Sequence, residues 1–128
     1  MHLLLDTHSF IWWLAGDPAL STEAQRAIAD QSHTVFFSAA SAWEIATKHR
    51  LGKLARAAIL ARDIAGAAQS QGFDELPIRL RHAQAAGELR AAHKDPFDRM
   101  LIAQAMLENL CLVSNENLFD DFGIQRLW

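Results

Sequence analysis

Residues 93–114 read HKDPFDRMLIAQAMLENLCLVS. Asp95 is placed to cap a helix, and Pro96, whose missing N–H costs nothing at a first helical position, is placed to open it. From there Pro96–Glu108 is apolar nearly all round after its first turn, which predicts a buried helix. LCLVS (110–114) then reads as a buried strand. Asp98 lies early in the same helix, where the helix dipole favours an acid. Two roles are open for these aspartates: starting the helix, or holding a metal.

The rest of the chain repeats this alternation. HLLLD (2–6) predicts a short buried strand and Thr7–Ala15 a helix. Ser21 is an N-cap for a second helix, with Glu23 as a favourable acid in its first turn. TVFFS (34–38) predicts another strand, and Ser41–Arg50 a helix closed by Gly52. Residues 57–71 place Leu60, Ile64, Ala67 and Ala68 on one side of a helix ended by Gly72. ELPI (75–78) predicts a short strand, residues 79–92 a helix, and Gly123–Leu127 a last strand. Strands separated by helices predict an α/β fold with a central parallel sheet and helices on both faces. Ligands of such sheets bind beyond the carboxyl ends of the strands.

At 128 residues the chain is expected to form a single domain, 1–128. Its one cysteine, Cys111, has no internal partner and suits a reducing compartment. The apolar N-terminus lacks a basic leader and is broken by Asp6, so a signal peptide is not expected. No stretch approaches the ~18 apolar residues of a membrane span. These features predict a cytoplasmic protein with no membrane partner. The net charge of −3 is uneven. Residues 1–47 hold one Arg against five acids, residues 48–99 ten Lys or Arg against six, and residues 100–128 one Arg against four. A basic middle between acidic ends permits a nucleic-acid substrate without requiring one.

Asp6, Glu44 and Glu116 fall at or just past strand ends, and Asp98 joins them if its helix start points at the same rim. Two carboxylates ~5 Å apart repel by ~3 kcal/mol at an effective dielectric near ~20. Protonation or a divalent cation must relieve such a cluster. Oxygen-only ligands suit Mg²⁺ or Mn²⁺, which serve phosphodiester hydrolysis. Each acid also has a purely structural explanation. Asp6 can cap the first helix, Ser41-Ala-Trp-Glu44 fits a capping box, Glu44 can pair with Lys48, and Glu116 can be a first-turn acid. His93 suits a surface or capping role as well as the cleft. Motifs for zinc hydrolysis, P-loop or dinucleotide binding, and a GxSxG nucleophile are absent. Trp12, Trp13, Trp43 and Trp128 are candidates for the core, but adjacent Trp12 and Trp13 point about 100° apart on a helix, so one of them can lie instead on a partner surface.

The stretches LLLDTH (3–8), SAASAWEIATKHRLGKL (38–54), LPI (76–78) with HA (82–83), HKDPFDRMLIAQA (93–105) and LVSNENLFDDFGI (112–124) together resemble the PIN-domain ribonucleases. Within them they resemble the VapC-type toxins of bacterial toxin–antitoxin pairs. The resemblance implies a Rossmann-like parallel sheet and a Mg²⁺- or Mn²⁺-dependent endoribonuclease. The family's acids fall on Asp6, Glu44 and Asp98, with Asp95 matching the extra aspartate of the DPFDR variant. Ser114 matches the usual Thr or Ser. At position 116 the family commonly has Asp, whereas this chain has Glu116, which reaches one methylene further. The resemblance also implies a small antitoxin and a homodimer.

The sequence expectation is therefore RNA hydrolysis with Asp6, Glu44, Asp98 and Glu116 as catalytic and metal-binding acids. Ser114, Lys48, Arg50, Lys53 and Arg99 are the candidates to hold RNA. Trp12, Trp13, Leu51 and Leu54 are the candidates for the antitoxin surface. A phosphatase with Asp6 as nucleophile is disfavoured, because His8 stands where a second aspartate belongs. A catalytically degenerate module that binds RNA or a protein is the alternative, kept open by Glu116.

Overall fold

Leu3, Leu4 and Leu5 are all fully buried, which requires apolar cover on both faces of the strand they form. The computed structural model describes residues 1–54, 58, 60–90 and 92–128. In it β1 (His2–Leu5) is the central strand of a five-stranded sheet. β2 (Thr34–Ser38) and β3 (Asp74–Leu76) extend the sheet on one side. β4 (Cys111–Val113) and β5 (Arg126–Leu127) extend it on the other. All pairings are parallel, and the order is β3-β2-β1-β4-β5.

Strand side chains alternate between faces, and two cores follow. Leu3, Leu5, Val35, Phe37, Cys111 and Val113 pack on one face with Phe10, Ile28 and Ile45. These come from α1 (Thr7–Ala15), α2 (Thr22–Ala29) and α3 (Ala39–Arg50), and α4 (Ile64–Ser70) adds Ala68. Leu4, Leu76 and Leu112 face the other way, onto Leu101, Ile102 and Ala105 of α6 (Pro96–Glu108). α5 (Leu80–Glu88) packs beside α6. The parallel sheet with helices on both faces is what the alternation predicts, and its Rossmann-like form is what the resemblance implies.

Local chemistry sets the element ends. Ser21 accepts from the Ala24 N–H at 3.1 Å, and Asp95 accepts from the Phe97 and Asp98 N–H groups at 2.9 and 3.2 Å. Gly52 and Gly72 take the positive φ that ends the segments before them. Several boundaries differ from the sequence reading: the helix expected over 79–92 ends at Glu88, and the strand expected from Gly123 covers only Arg126–Leu127, because Gly123 takes a positive φ that closes the preceding turn. α3 starts at Ala39, because Ser38 caps it by accepting from the Ala40 N–H, and Ser41 is a buried residue inside the helix. The helix expected over 57–71 appears as a single tight turn at Leu60–Arg62 and then α4, because Asp63 caps a new start at Ile64 by accepting from the Gly66 N–H. Residues 57 and 59 of that expectation, and residue 91 of the one over 79–92, lie outside the described residues. β3 ends at Leu76, since Pro77 has no N–H to continue the ladder. The helix expected to be buried all round, α6, has Met106 and Leu107 exposed at its end.

Buried polar groups are matched. The Ser38 hydroxyl donates to Gln104 Oε1 at 2.5 Å, and Gln104 Nε2 donates to the Pro77 carbonyl at 3.2 Å, tying the end of β2 to α6. Among the described residues no buried side-chain polar atom lacks a partner.

Candidate active site at the switch point of the sheet

From β1 the chain builds outward through β2 and β3, then returns across the sheet to lay β4 on the other side of β1. The strand order reverses there, which leaves a crevice beyond the carboxyl ends of β1 and β4. Asp6 directly follows β1 and Ser114 directly follows β4.

Asp6 is fixed at this crevice by its backbone as much as by its side chain. Its N–H donates to the Val113 carbonyl at 3.1 Å, and the Ser9 hydroxyl donates to the same carbonyl at 2.9 Å. Its carboxylate caps α1, accepting from the Ser9 N–H at 2.8 Å. Burial pushes the Asp6 carboxyl above the ordinary aspartate value, and hydrogen bonds from Ser114 and Ser9 pull against that rise.

Thr7 carries the connection to α3. Its hydroxyl donates to Glu44 Oε1 at 2.5 Å and lies 3.0 Å from the Ser41 hydroxyl. Glu44 is buried, and its other oxygen pairs with the Lys48 ammonium one turn on. The third acid enters from the start of α6. The hydrogen bonds from Phe97 and Asp98 to Asp95 fix that first turn, and His93 Nε2 meets Asp98 Oδ2 at 2.9 Å. Partial burial raises the Asp98 carboxyl. The His93 hydrogen bond lowers it, while the charges of Asp95 and Glu44 raise it further. Asp98 thus feels Glu44, Glu44 is bonded to Thr7, and Thr7 adjoins Asp6.

Glu116 follows β4 and connects to Ser114 through its backbone. It is exposed at the start of a tight turn, Asn117–Phe122, and its N–H donates to the Ser114 hydroxyl at 3.0 Å. Of the four acids expected in one cleft, Asp6 adjoins the Thr7 that bonds Glu44, Asp98 feels the charge of Glu44, and Glu116 connects through Ser114. The donors are all oxygens, so they fit Mg²⁺ or Mn²⁺ by chemistry. As placed, Glu44 is paired with Lys48 and Asp98 with His93. Among the described residues no group of three or more His, Cys, Asp or Glu is arranged to hold a metal. Lys48 supplies, for Glu44, the positive charge that a cation would otherwise bring.

The other candidates divide. Arg50 and Lys53 are exposed, and Lys48 is committed to Glu44. Arg99, expected to hold RNA phosphates, donates instead to backbone carbonyls of Ala86, Leu89 and His93 at 3.0, 2.7 and 2.9 Å, and of Gly87 at 3.3 Å. The reason is electrostatic: the ending of α5 presents unpaired carbonyls, and a guanidinium fork satisfies several at once. Trp12 and Trp13 both pack against the core as half-buried residues, Trp12 beside Trp128 and Trp13 beside Phe73, with Trp13 Nε1 donating to Gln71. Leu54 packs there too, and Leu51 is exposed. The most open tryptophan is Trp43, set edge-on to Phe97. Sequence reasoning gave Thr7 no role beyond a helix start and took Trp43 as a core candidate, whereas Thr7 bonds Glu44 and Trp43 is exposed. Their only signal is adjacency, each standing next to a candidate acid.

A doubly wound sheet with carboxylates gathered at its switch point defines the class. The chain belongs to the PIN-domain family, whose model matches residues 3–124. No curated protein matches the sequence. Its fold is similar to that of VapBC2 from Rickettsia felis, solved bound to a DNA fragment from its promoter, with a TM-score of 0.73, 18% identity, and 99% of this chain and 98% of that chain covered. It is similar to VapC20 of Mycobacterium tuberculosis, described as a sarcin–ricin loop-cleaving toxin, with a TM-score of 0.70, 19% identity and 95% of each chain covered. DNA-bound VapBC from Salmonella typhimurium gives a TM-score of 0.68 at 19% identity, with 99% of this chain and 97% of that chain covered. At these identities the likeness establishes the fold.

Proposed function

We propose that this protein is a Mg²⁺- or Mn²⁺-dependent endoribonuclease and the toxin of a toxin–antitoxin pair. The observation that supports the reading is the linkage of Ser114 to Asp6 and of Thr7 to Glu44 beyond the carboxyl ends of the strands, with the charge of Glu44 felt at Asp98 on the start of α6. The family, and the description of VapC20 as a toxin that cleaves the sarcin–ricin loop, support the same activity.

Asp6, Glu44 and Asp98 would hold the cation, with Glu116 supporting from the rim. A divalent cation in such a site lowers the pKa of a bound water and offsets charge on the phosphate. The protein's own groups prepare the donors. Ser114 and Ser9 hold the Asp6 carboxylate at the crevice. Thr7 fixes one oxygen of Glu44, and His93 fixes one oxygen of Asp98. Arg50 and Lys53 are free to meet RNA phosphates at the surface, while Lys48 lies closest to the acids. A small antitoxin is the proposed protein partner, on the exposed side of Leu51 and the outer edges of Trp12, Trp13 and Leu54, and a homodimer is the proposed assembly. The proposed location is the cytoplasm; among the described residues no helix is long and apolar enough to cross a membrane.

The Lys48–Glu44 pair and the absence of a three-acid group also favour a second reading, a module that binds RNA or a partner without cutting it. Incubating antitoxin-free protein with mixed RNA, with and without Mn²⁺, beside Asp98→Asn separates the two. Cleavage that needs both the cation and Asp98 supports the nuclease. Binding without cleavage moves the function to the inert module.

A further inference from the structure

Trp43 is 58% exposed on α3, immediately before Glu44, and Phe97 immediately precedes Asp98. Their ring centroids lie 4.9 Å apart at 77°. An aromatic pair thus joins α3 to α6 beside two of the acids. An edge-on contact covers one face of one ring at most, and the exposure of Trp43 leaves it open to solvent. A tryptophan left this open forgoes burial that Trp12 and Trp13 obtain from the same fold.

The surroundings of Trp43 decide what it suits. On a helix, residue i+7 returns to the same face, roughly two turns or ~10 Å along the axis. That position is Arg50, which is exposed, and the residues between on that face are Ala46 and Thr47. Lys53 follows just past the helix and is exposed as well. Between Glu44 and Asp63 the sequence holds five Lys or Arg and no acid. An open ring followed by cations along one edge matches a polyanion with splayed aromatic bases. It does not match an apolar protein segment, which needs a continuous greasy surface. Duplex RNA keeps its bases stacked inside, where such a ring cannot reach them.

We infer that Trp43, backed by Phe97, is a stacking platform for a base of single-stranded RNA, with Arg50 and Lys53 holding the phosphates beside it. The inference rests on the reading of the chain as a ribonuclease and names the form of RNA that its crevice takes. It makes Trp43 a substrate-selecting residue for unpaired nucleotides next to the acids.

The test is anisotropy of a short labelled single-stranded RNA of mixed sequence, and of the same RNA as a duplex, in EDTA so that no hydrolysis intervenes. Trp43→Ala should bind the single strand about tenfold to a hundredfold more weakly. Trp43→Phe should recover most of the affinity, and Leu80→Ala, which trims another exposed apolar side chain, should match the wild type. Duplex binding should be weak and indifferent to Trp43. Circular dichroism checks that Trp43→Ala is folded, and Trp43→Phe carries the test if it is not. An unchanged single-strand affinity, an equal loss on duplex, or loss of antitoxin binding with RNA binding intact overturns the inference. Adding Mn²⁺ to the same samples keeps the two readings apart. Cleavage by a wild type whose RNA affinity ignores Trp43 sinks the platform and leaves the nuclease. Trp43-dependent binding with no cleavage keeps the platform and sinks the nuclease.

Discussion

Replacing Arg99 by alanine should cost the fold stability, because Arg99 donates to backbone carbonyls of its own chain. Its guanidinium ties the end of α5 to the segment leading into α6, through carbonyls of Ala86, Leu89 and His93. Its bond to Gly87 is exposed and carries no weight. The other three are part-buried, and at about 1 kcal/mol each, after allowance for solvent screening, Arg99→Ala should cost about 3 kcal/mol. A chain of 128 residues has an unfolding entropy of about 0.27 kcal/mol per kelvin at its midpoint. The melting temperature should therefore fall by about 11 °C. Arg99→Lys should recover less than half, because one ammonium cannot reproduce a fork. Hydrogen exchange should show faster opening around His93, whose carbonyl loses its donor. The assay is thermal unfolding by circular dichroism, alongside RNA binding. A melt within about 2 °C of the wild type, accompanied by a loss of RNA affinity, would refute this reasoning and restore Arg99 as a phosphate ligand.

Further expectations concern the acids and the core. The folded-state carboxyl of Asp6 is raised, so in the pH interval between the ordinary aspartate value and the raised one the folded protein binds more protons than the unfolded chain. Its contribution is therefore fully present below the ordinary aspartate pKa and is lost as pH rises through the raised one. Asp6→Asn keeps the helix cap and removes the charge, so in EDTA at neutral pH it should be the more stable protein, with a flatter pH dependence across that window. Urea unfolding at several pH values checks this, and a destabilised Asp6→Asn at neutral pH would contradict it. Phe10 is fully buried, 3.8 Å from Phe37 between ring centroids, so Phe10→Ala should cost about 3–5 kcal/mol in chemical denaturation.

How legible this was from sequence depends on how local the cause is. Asp95 with Pro96, Ser21, and Gly52 and Gly72 act within a turn of themselves, and their elements begin or end where local chemistry says. Leu3–Leu5 suggest a strand covered on both faces because the apolar run is short and stops at Asp6, whereas the buried run Leu101–Ala105 lies within a thirteen-residue helix. The break at Asp63 was hidden because an apolar spacing of helical period continues across it, while a single capping aspartate overrides the spacing. Ser38 captured the start of α3 from Ser41 because Ser41 has a better partner in Thr7, and that contact joins residues 34 apart in the chain. The site divides in the same way. Asp6 and Asp98 sit at an element's beginning and were readable from position. The bridge through Thr7, the role of His93 beside Asp98 and the diversion of Arg99 to α5 are tertiary facts. No spacing in the sequence encodes them.

The central claim is that the switch-point acids form a cation site. Titration of the metal-free protein with Mn²⁺, followed by calorimetry, tests it most directly, beside Asp6→Asn and Asp98→Asn. The account predicts saturable binding by the wild type that each variant weakens at least about tenfold, with both variants folded. Mn²⁺ binding that is absent in the wild type, or equal in all three proteins, would contradict it.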